Sequence, residues 1–190
     1  MSNQKGFTLI ELIVTMLVAS IILAAIYSLF TVQDRSYASQ VLAIEMNANA
    51  RMAGMVTDDI RMAGLGQKAG FKGISSAKVD EITVSMDIDG DGSDSGSNEK
   101  ITYHYDSILQ QLLRREEAIK EEQPLMDNVT SFFITYKMSN GTITSNPADL
   151  SDIREVKIAM TIQTQRIDPL TNKYKNQSIN LCITPRNMAF

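Results

Sequence analysis

Apolar residues crowd the start of the chain. From Phe7 to Phe30, 19 of 24 positions are Ala, Val, Ile, Leu, Met, Phe or Tyr; the exceptions are Thr8, Glu11, Thr15, Ser20 and Ser28. As a helix this run spans about 36 Å, enough to cross a hydrocarbon layer of about 30 Å. No Gly or Pro falls between Phe7 and Ala53. Past Phe30 the chain turns polar but keeps apolar residues at three- and four-residue steps, through Val41, Ile44, Ala48, Met52, Met55, Val56, Ile60 and Ala63. That spacing marks one helical face. Arg51, Asp58, Asp59 and Arg61 fall largely outside the stripe, and Gly64 and Gly66 read as stop signals. The pattern predicts one helix from about Thr8 to about Ala63, with Gly54 tolerated inside it. Met46, Met52, Met55 and Met62 read as adaptable packing residues.

The rest of the chain alternates with period two. Ile82, Val84 and Met86 share one face of a segment from Glu81; Ile101, Tyr103 and Tyr105 share one face of the next. Ile108 to Arg114 reads as its partner strand after a turn at Asp106-Ser107, and three more alternating runs carry Phe132 to Met138, Val156 to Ile162 and Ile179 to Ile183. Clean alternation predicts antiparallel sheet with one face on the core. Pro124, Gly141, Pro147 and Pro169 read as loop punctuation. The expected class is α+β: a long N-terminal helix packed on an antiparallel β-sheet head. Four segments follow, with 1–6 a polar leader, 7–30 a membrane-length helix, 31–66 its amphipathic half and 67–190 a β-rich head.

Composition alone hides this division. The mean hydropathy of −0.09 looks soluble. The net charge of −4 argues against a partner recognised by phosphate neutralisation, so no direct nucleic-acid binding is expected. One cysteine, Cys182, excludes an intramolecular disulfide, and one histidine, His104, excludes a multi-histidine metal centre. Lys5 is the only charge in the leader and favours an N-terminus-in orientation. The apolar run is too long for an ordinary secretory signal core. A simple anchor fits its length but leaves Glu11 unexplained, since an unpaired carboxylate in a membrane helix costs several kcal/mol.

Gly6-Phe7-Thr8-Leu9-Ile10-Glu11-Leu12 resembles the N-terminal signature of type IV pilins and of the pseudopilins of type II secretion. The resemblance implies that a prepilin peptidase cuts after Gly6, that Phe7 becomes the N-methylated first residue, and that Glu11 neutralises the N-terminal amine of a neighbouring subunit during assembly. A charge pair inside a low-dielectric helix bundle offsets two desolvation penalties at once. Cleavage would leave 17 basic and 22 acidic side chains, a net charge of −5. Farther along, Glu99-Lys-Ile-Thr-Tyr103, Leu113-Arg114, Asn128-Val129 and the aromatic strand ending at Tyr136 are similar to PilW-type minor pilins and, through them, to J-type minor pseudopilins. K-type tip pseudopilins usually lack the glutamate matched by Glu11.

One segment of the head carries a chemical motif of its own. Asp87, Asp89 and Asp91 with Gly92 match positions 1, 3, 5 and 6 of an EF-hand loop, but position 12 is Asn98 and the acid follows at Glu99. The flanks look like strands, so a full EF-hand is not expected. A strand–loop–strand Ca²⁺ site would take Asp87, Asp89 and Asp91, with Asp94 or Glu99 and the carbonyl of Ser93. The competing reading is a solvated Asp/Gly hairpin loop.

Other candidates are weaker. His104 and Asp106 share a strand face, with Ser85 or Ser107 imaginable as nucleophile, but no motif frames either serine. Cys182 is expected to face away from Leu181 and Ile183. The charges from Arg114 to Glu117 and from Lys120 to Glu122 read as a solvated strand end or loop. The chain is therefore expected to be a non-enzymatic minor pilin, single-pass in the inner membrane with its head in the periplasm, extracellular after assembly. Its partners would be other pilins, the prepilin peptidase and the assembly platform. Two other readings remain: a minor pseudopilin or major subunit, and a membrane-anchored calcium-dependent adhesion module.

Overall fold

The computed structural model describes residues 6–66, 72–168 and 171–188. The leader before Gly6, the first residues assigned to the head and Pro169 lie outside them. Helix α1 runs Leu9–Met62, one residue inside each predicted end. Ala63 is its C-cap, and the chain then leaves through left-handed glycines, Gly64 at φ 81° and Gly66 at φ 68°. The helix has two unlike halves. Its most hydrophobic window has nothing packed on it, and Leu9, Ile10, Met16, Ile21, Leu23 and Phe30 are all more than half exposed. This long apolar surface fits membrane anchoring. The second half buries Leu42, Ala53, Val56, Asp59 and Ile60 against the head.

The head is antiparallel sheet as expected, and among the described residues its strands divide into two sheets. Strands β1 Ile74–Ala77, β2 Glu81–Ser85, β3 Lys100–Asp106, β4 Gln111–Glu116 and β5 Glu122–Met126 pair in sequence order. Strands β6 Val129–Met138, β7 Ile143–Thr144, β8 Ile153–Asp168 and β9 Lys173–Ile183 form the second sheet, in the order β7-β6-β8-β9. The break between sheets falls at Asn128, whose φ of 55° redirects the chain, a conformation that Asn tolerates better than most residues. The sheets are stitched by Val129 N–H to the Gln110 carbonyl, Ile134 N–H to that of Val79, and the Tyr136 hydroxyl to the Lys78 carbonyl.

Both sheets share one core. Val56, Ile60 and Ala63 of α1 meet Ile82, Val84, Ile101 and Leu112 of the first sheet and Ile134, Val156, Ile158 and Ile183 of the second. In β6 and β8 the predicted alternation is the alternation that is buried; in β2 and β3 the predicted apolar residues Ile82, Val84, Ile101 and Tyr103 are buried, but Thr83, Ser85 and Thr102 between them are buried as well. Three strands were not expected from the pattern. Strand β1 is too short and polar to alternate, and β7 has two residues. Strand β5 contains Pro124, which was read as a loop residue; it is tolerated because β5 lies at a sheet edge, where a missing N–H breaks no inner ladder. Ile108 and Leu109 are likewise not in a strand: they occupy the turn before β4, with both N–H groups on Asp106 Oδ1.

Two glycines test this packing in opposite senses. A Cβ on Gly73 would lie 2.6 Å from the Gly64 nitrogen and 2.8 Å from its Cα, so backbone must move. Gly73→Ala should destabilise the chain by about 1–3 kcal/mol. Gly54 is exposed in mid-helix with no atom within 4 Å of a new Cβ, so Gly54→Ala should stabilise by about 0.5–1 kcal/mol. Denaturant midpoints of the detergent-solubilised chain measure both.

Candidate functional site

The N-terminal segment is organised around Thr8. Its side chain accepts the Glu11 N–H at 3.4 Å, while Glu11 Oε2 accepts the Thr8 N–H and hydroxyl, each at 2.9 Å. Together these make a capping box, which satisfies two of the donors that a helix start leaves orphaned. The Thr8-x-x-Glu11 spacing carried this signal in the sequence. Glu11 also sits where the positive end of the helix dipole favours a carboxylate. Its Oε1 accepts no hydrogen bond among the described residues and faces solvent, as does Phe7, 84% exposed. The capping box therefore uses one carboxylate oxygen and leaves the other open to a cation.

The acidic loop lies at the far end of the head, where Asp87 N–H binds the Leu65 carbonyl just past the end of α1. Of its six candidate ligands the fold gathers three: oxygens of Asp87, Asp89 and Glu99 lie within 4.8 Å of one another. Asp91 and Asp94 are outside that group. Asp91 caps the Ser93 N–H, and Asp94 lies 3.7 Å from Lys100 Nζ. The Ser93 hydroxyl bonds Ser95.

The two buried carboxylates already organise the loop backbone. Asp87 accepts the N–H groups of Gly90 and Gly92; Glu99 accepts those of Ile88, Asp89 and Gly96. Five amide donors thus stabilise two buried charges. A carboxylate pair offers about eight acceptor positions, so hard oxygen capacity for a cation remains alongside these bonds.

A third cluster went unnoticed in the sequence. Asp59, read outside the helical stripe, is 8% exposed and accepts the Tyr103 hydroxyl at 2.6 Å. Arg114 Nε lies 3.7 Å from Asp59, its Nη1 3.8 Å from Glu116, and its Nη2 donates to Asn98 at 2.9 Å. Glu116 in turn accepts the Ser97 hydroxyl and the Asn98 N–H. Arg114 and Glu116 are thus not part of a solvated strand end, whereas Glu117 and Lys120 to Glu122 are exposed as expected. The clustered charges clip the acidic loop to β4 and tie β3 to the helix. The cluster floors a cleft of about 370 Å³ walled by Met55, Met62, Pro124 and Leu125. Desolvation raises the Asp59 pKa above the usual carboxylate range, with the Tyr103 hydrogen bond and Arg114 opposing it.

Ser85, one of the two imagined nucleophiles, is not brought to His104. Ser85 is buried opposite Lys100 while His104 faces Glu81 across the same ladder, four residue steps or about 13 Å away. Cys182 is exposed on the outer face of β9. Its thiol donates to Glu155 at 2.9 Å, and that hydrogen bond raises its pKa, the opposite of an activated thiolate.

Comparison with known proteins bears on the first of these sites. Residues 1–27 match the prokaryotic N-terminal methylation motif. No curated protein matches the chain. The matched stretch contains Gly6, Phe7, Thr8 and Glu11, and it supports a type IV pilin or pseudopilin, processed by a prepilin peptidase and assembled with other pilins. It points to a structural rather than a catalytic role.

The Asp59 cluster has measurable consequences. Tyr103→Phe removes the donor from a buried carboxyl and should cost about 1–3 kcal/mol. Because the folded-state pKa of Asp59 is raised, its contribution favours the fold below the model-compound value of 3.8 and is lost as pH rises through the folded value. Denaturant midpoints measured from pH 3.5 upward should show this loss in the native chain and a flatter profile in Asp59→Asn.

Proposed function

We propose that this chain is a minor pilin: a subunit cleaved after Gly6, methylated on Phe7, held in the inner membrane by the apolar half of α1 and incorporated into, or priming, a type IV filament. The observation that carries the reading is the methylation motif over residues 1–27, continued by an unbroken helix whose apolar half has no cover among the described residues. A subunit with such a helix needs lipid before assembly and other subunits after it, since the exposed side chains cannot stay in water. Glu11 is the assembly residue in this reading. Its free Oε1 can meet the amine of an incoming Phe7 while Oε2 keeps the capping box, so pairing does not uncap the helix.

The head supports the minor-pilin choice through the segments that resemble the PilW type. Tyr103, Arg114 and Asn98, drawn from or beside those segments, form the cluster under the helix end. A minor pseudopilin of type II secretion shares the same N-terminal chemistry and is the nearest alternative. N-terminal sequencing of the mature protein should begin with N-methylated phenylalanine; a chain starting elsewhere removes the proposal. Glu11→Ala should be cleaved normally but largely lost from sheared filaments, read as the filament-to-membrane ratio on immunoblots.

A second role, calcium binding by the head, is favoured by the convergence of Asp87, Asp89 and Glu99. Those oxygens are of the hard type that Ca²⁺ prefers, and backbone carbonyls and water would complete the six to eight ligands it takes. Millimolar Ca²⁺ should then raise the thermal midpoint of the native chain and leave Asp89→Asn unchanged. Equal midpoints with Ca²⁺ and with chelator would leave the loop as a self-held turn.

A further inference from the structure

Strands β8 and β9 form a hairpin that descends along the helix beyond the rest of the sheet. Three bonds fix its course: Gln165 N–H to Glu45 Oε1, Gln177 Nε2 to the Met46 carbonyl, and Arg186 N–H to the Arg61 carbonyl. Fifteen helical residues, about 22 Å, separate the last two anchors on α1. On the other chain segment β9 covers Gln177 to Ile183, about 20 Å, and Thr184 to Arg186 beyond its end span at most about 10 Å. The strand thus advances along the helix axis by at least about 12 of its 20 Å. Continued from Gln177 back to Lys173, about 13 Å of strand, it reaches the level of residues 38–40. Leu42 is buried 3% exposed on that stretch of an otherwise exposed helix.

The hairpin end itself differs in charge from the surface above it, where Glu45, Asp106 and Asp127 lie. From Gln163 to Gln177 there are three cations, Arg166, Lys173 and Lys175, against the single acid Asp168, in a chain whose net charge is −4. Asp168 is buried and pairs with Lys175 at 3.1 Å. Arg166 and Lys173 have no acidic partner among the described residues. Ile167 and Tyr174 stand opposite each other in register and are 47% and 50% exposed. The β3–β4 turn, with Ile108 91% exposed, lies at the same end, since Gln110 binds Val129 and Asn128 binds Gln163.

We propose that the β8–β9 hairpin end, through Arg166, Lys173 and the Ile167–Tyr174 pair, rests on the anionic headgroups of the membrane that holds α1. The level of residues 38–40 is about 13 Å above Phe30, the last residue of the apolar run. A headgroup layer about 5–7 Å deep covers the hydrocarbon edge, and Lys or Arg side chains reach about 6 Å with their stems on apolar surface. The distance left above that layer, about 6–8 Å, is about one Debye length at physiological salt. Cations flanking an aromatic and an aliphatic side chain are the composition that an interfacial surface takes. The inference rests on the membrane-anchored reading of α1.

The chain contains no tryptophan, so Tyr174→Trp introduces a single reporter. In the full chain reconstituted into phosphatidylcholine vesicles containing phosphatidylglycerol, its emission should shift to the blue and be quenched by lipid carrying a nitroxide on the headgroup. The same indole placed by Ile88→Trp, at the opposite end of the head, should show neither effect. Adding Arg166→Glu and Lys173→Glu should abolish the shift, with circular dichroism unchanged. Flotation reports the helix separately. A chain that floats without shift or quenching overturns the hairpin contact alone, and one that fails to float overturns the anchoring as well. A shift that ignores phosphatidylglycerol and grows with protein density assigns this surface to a second subunit and also overturns the proposal.

Discussion

The whole arrangement depends on one unmet demand: the first half of α1 exposes a continuous apolar surface that none of the described residues covers. Burial of apolar area is the dominant favourable term in folding, and here a helix of 54 residues leaves its most hydrophobic window entirely outside the core. The helix can be continuous only because lipid or neighbouring helices complete what the head does not. The head is accordingly confined to the other half, where, among the described residues, the fully buried helix positions and the hydrogen bonds to the head lie from Leu42 onward.

Polar groups set the precision of that attachment. The helix enters the core beside a buried carboxyl, Asp59, which hydrogen-bonds β3 through Tyr103 and lies beside the guanidinium of β4 through Arg114. Removing such a partner costs more than the bond contributes, because the remaining group stays desolvated. The cluster therefore acts less as a source of stability than as a constraint on how the helix end, the first sheet and the acidic loop are seated together. The acidic loop follows the same logic on a smaller scale, with its two buried carboxylates held by the amides of the loop they organise.

The sequence carried the regular elements legibly and the exceptions poorly. An unbroken 3.6-residue stripe set the helix within one residue at each end, because no glycine before Gly54 and no proline at all interrupts it. Period-two alternation located β6 and β8, where one face is buried and the other is wetter, and also β2 and β3, although Thr83, Ser85 and Thr102 on their second face are buried too. It could not reveal that the strands divide into two sheets, a partition decided by a single left-handed residue, Asn128. It also missed β5, whose proline is acceptable only at an edge, a property of pairing order rather than of local sequence. Of the candidate site, Glu11 was readable from its motif. Asp59 was not, since a charged residue beside an apolar stripe looks like solvent surface until its partners, 44 and 55 positions away, are brought to it. The acidic loop showed the limit of spacing arguments: it has EF-hand-like intervals, yet its carboxylates divide between inward-facing and outward-facing roles.

The inclined course of β9 along α1 has a mechanical consequence. A pull on the apolar half of the helix, with the head held, would not peel the two apart from one end. The anchors near Met46 and near Arg61 lie along the direction of force, so they are loaded in shear and must yield together. Bonds arranged in that way share tension, whereas bonds opened in succession each bear it alone. The joint between head and helix is thus built to transmit load along the axis of α1.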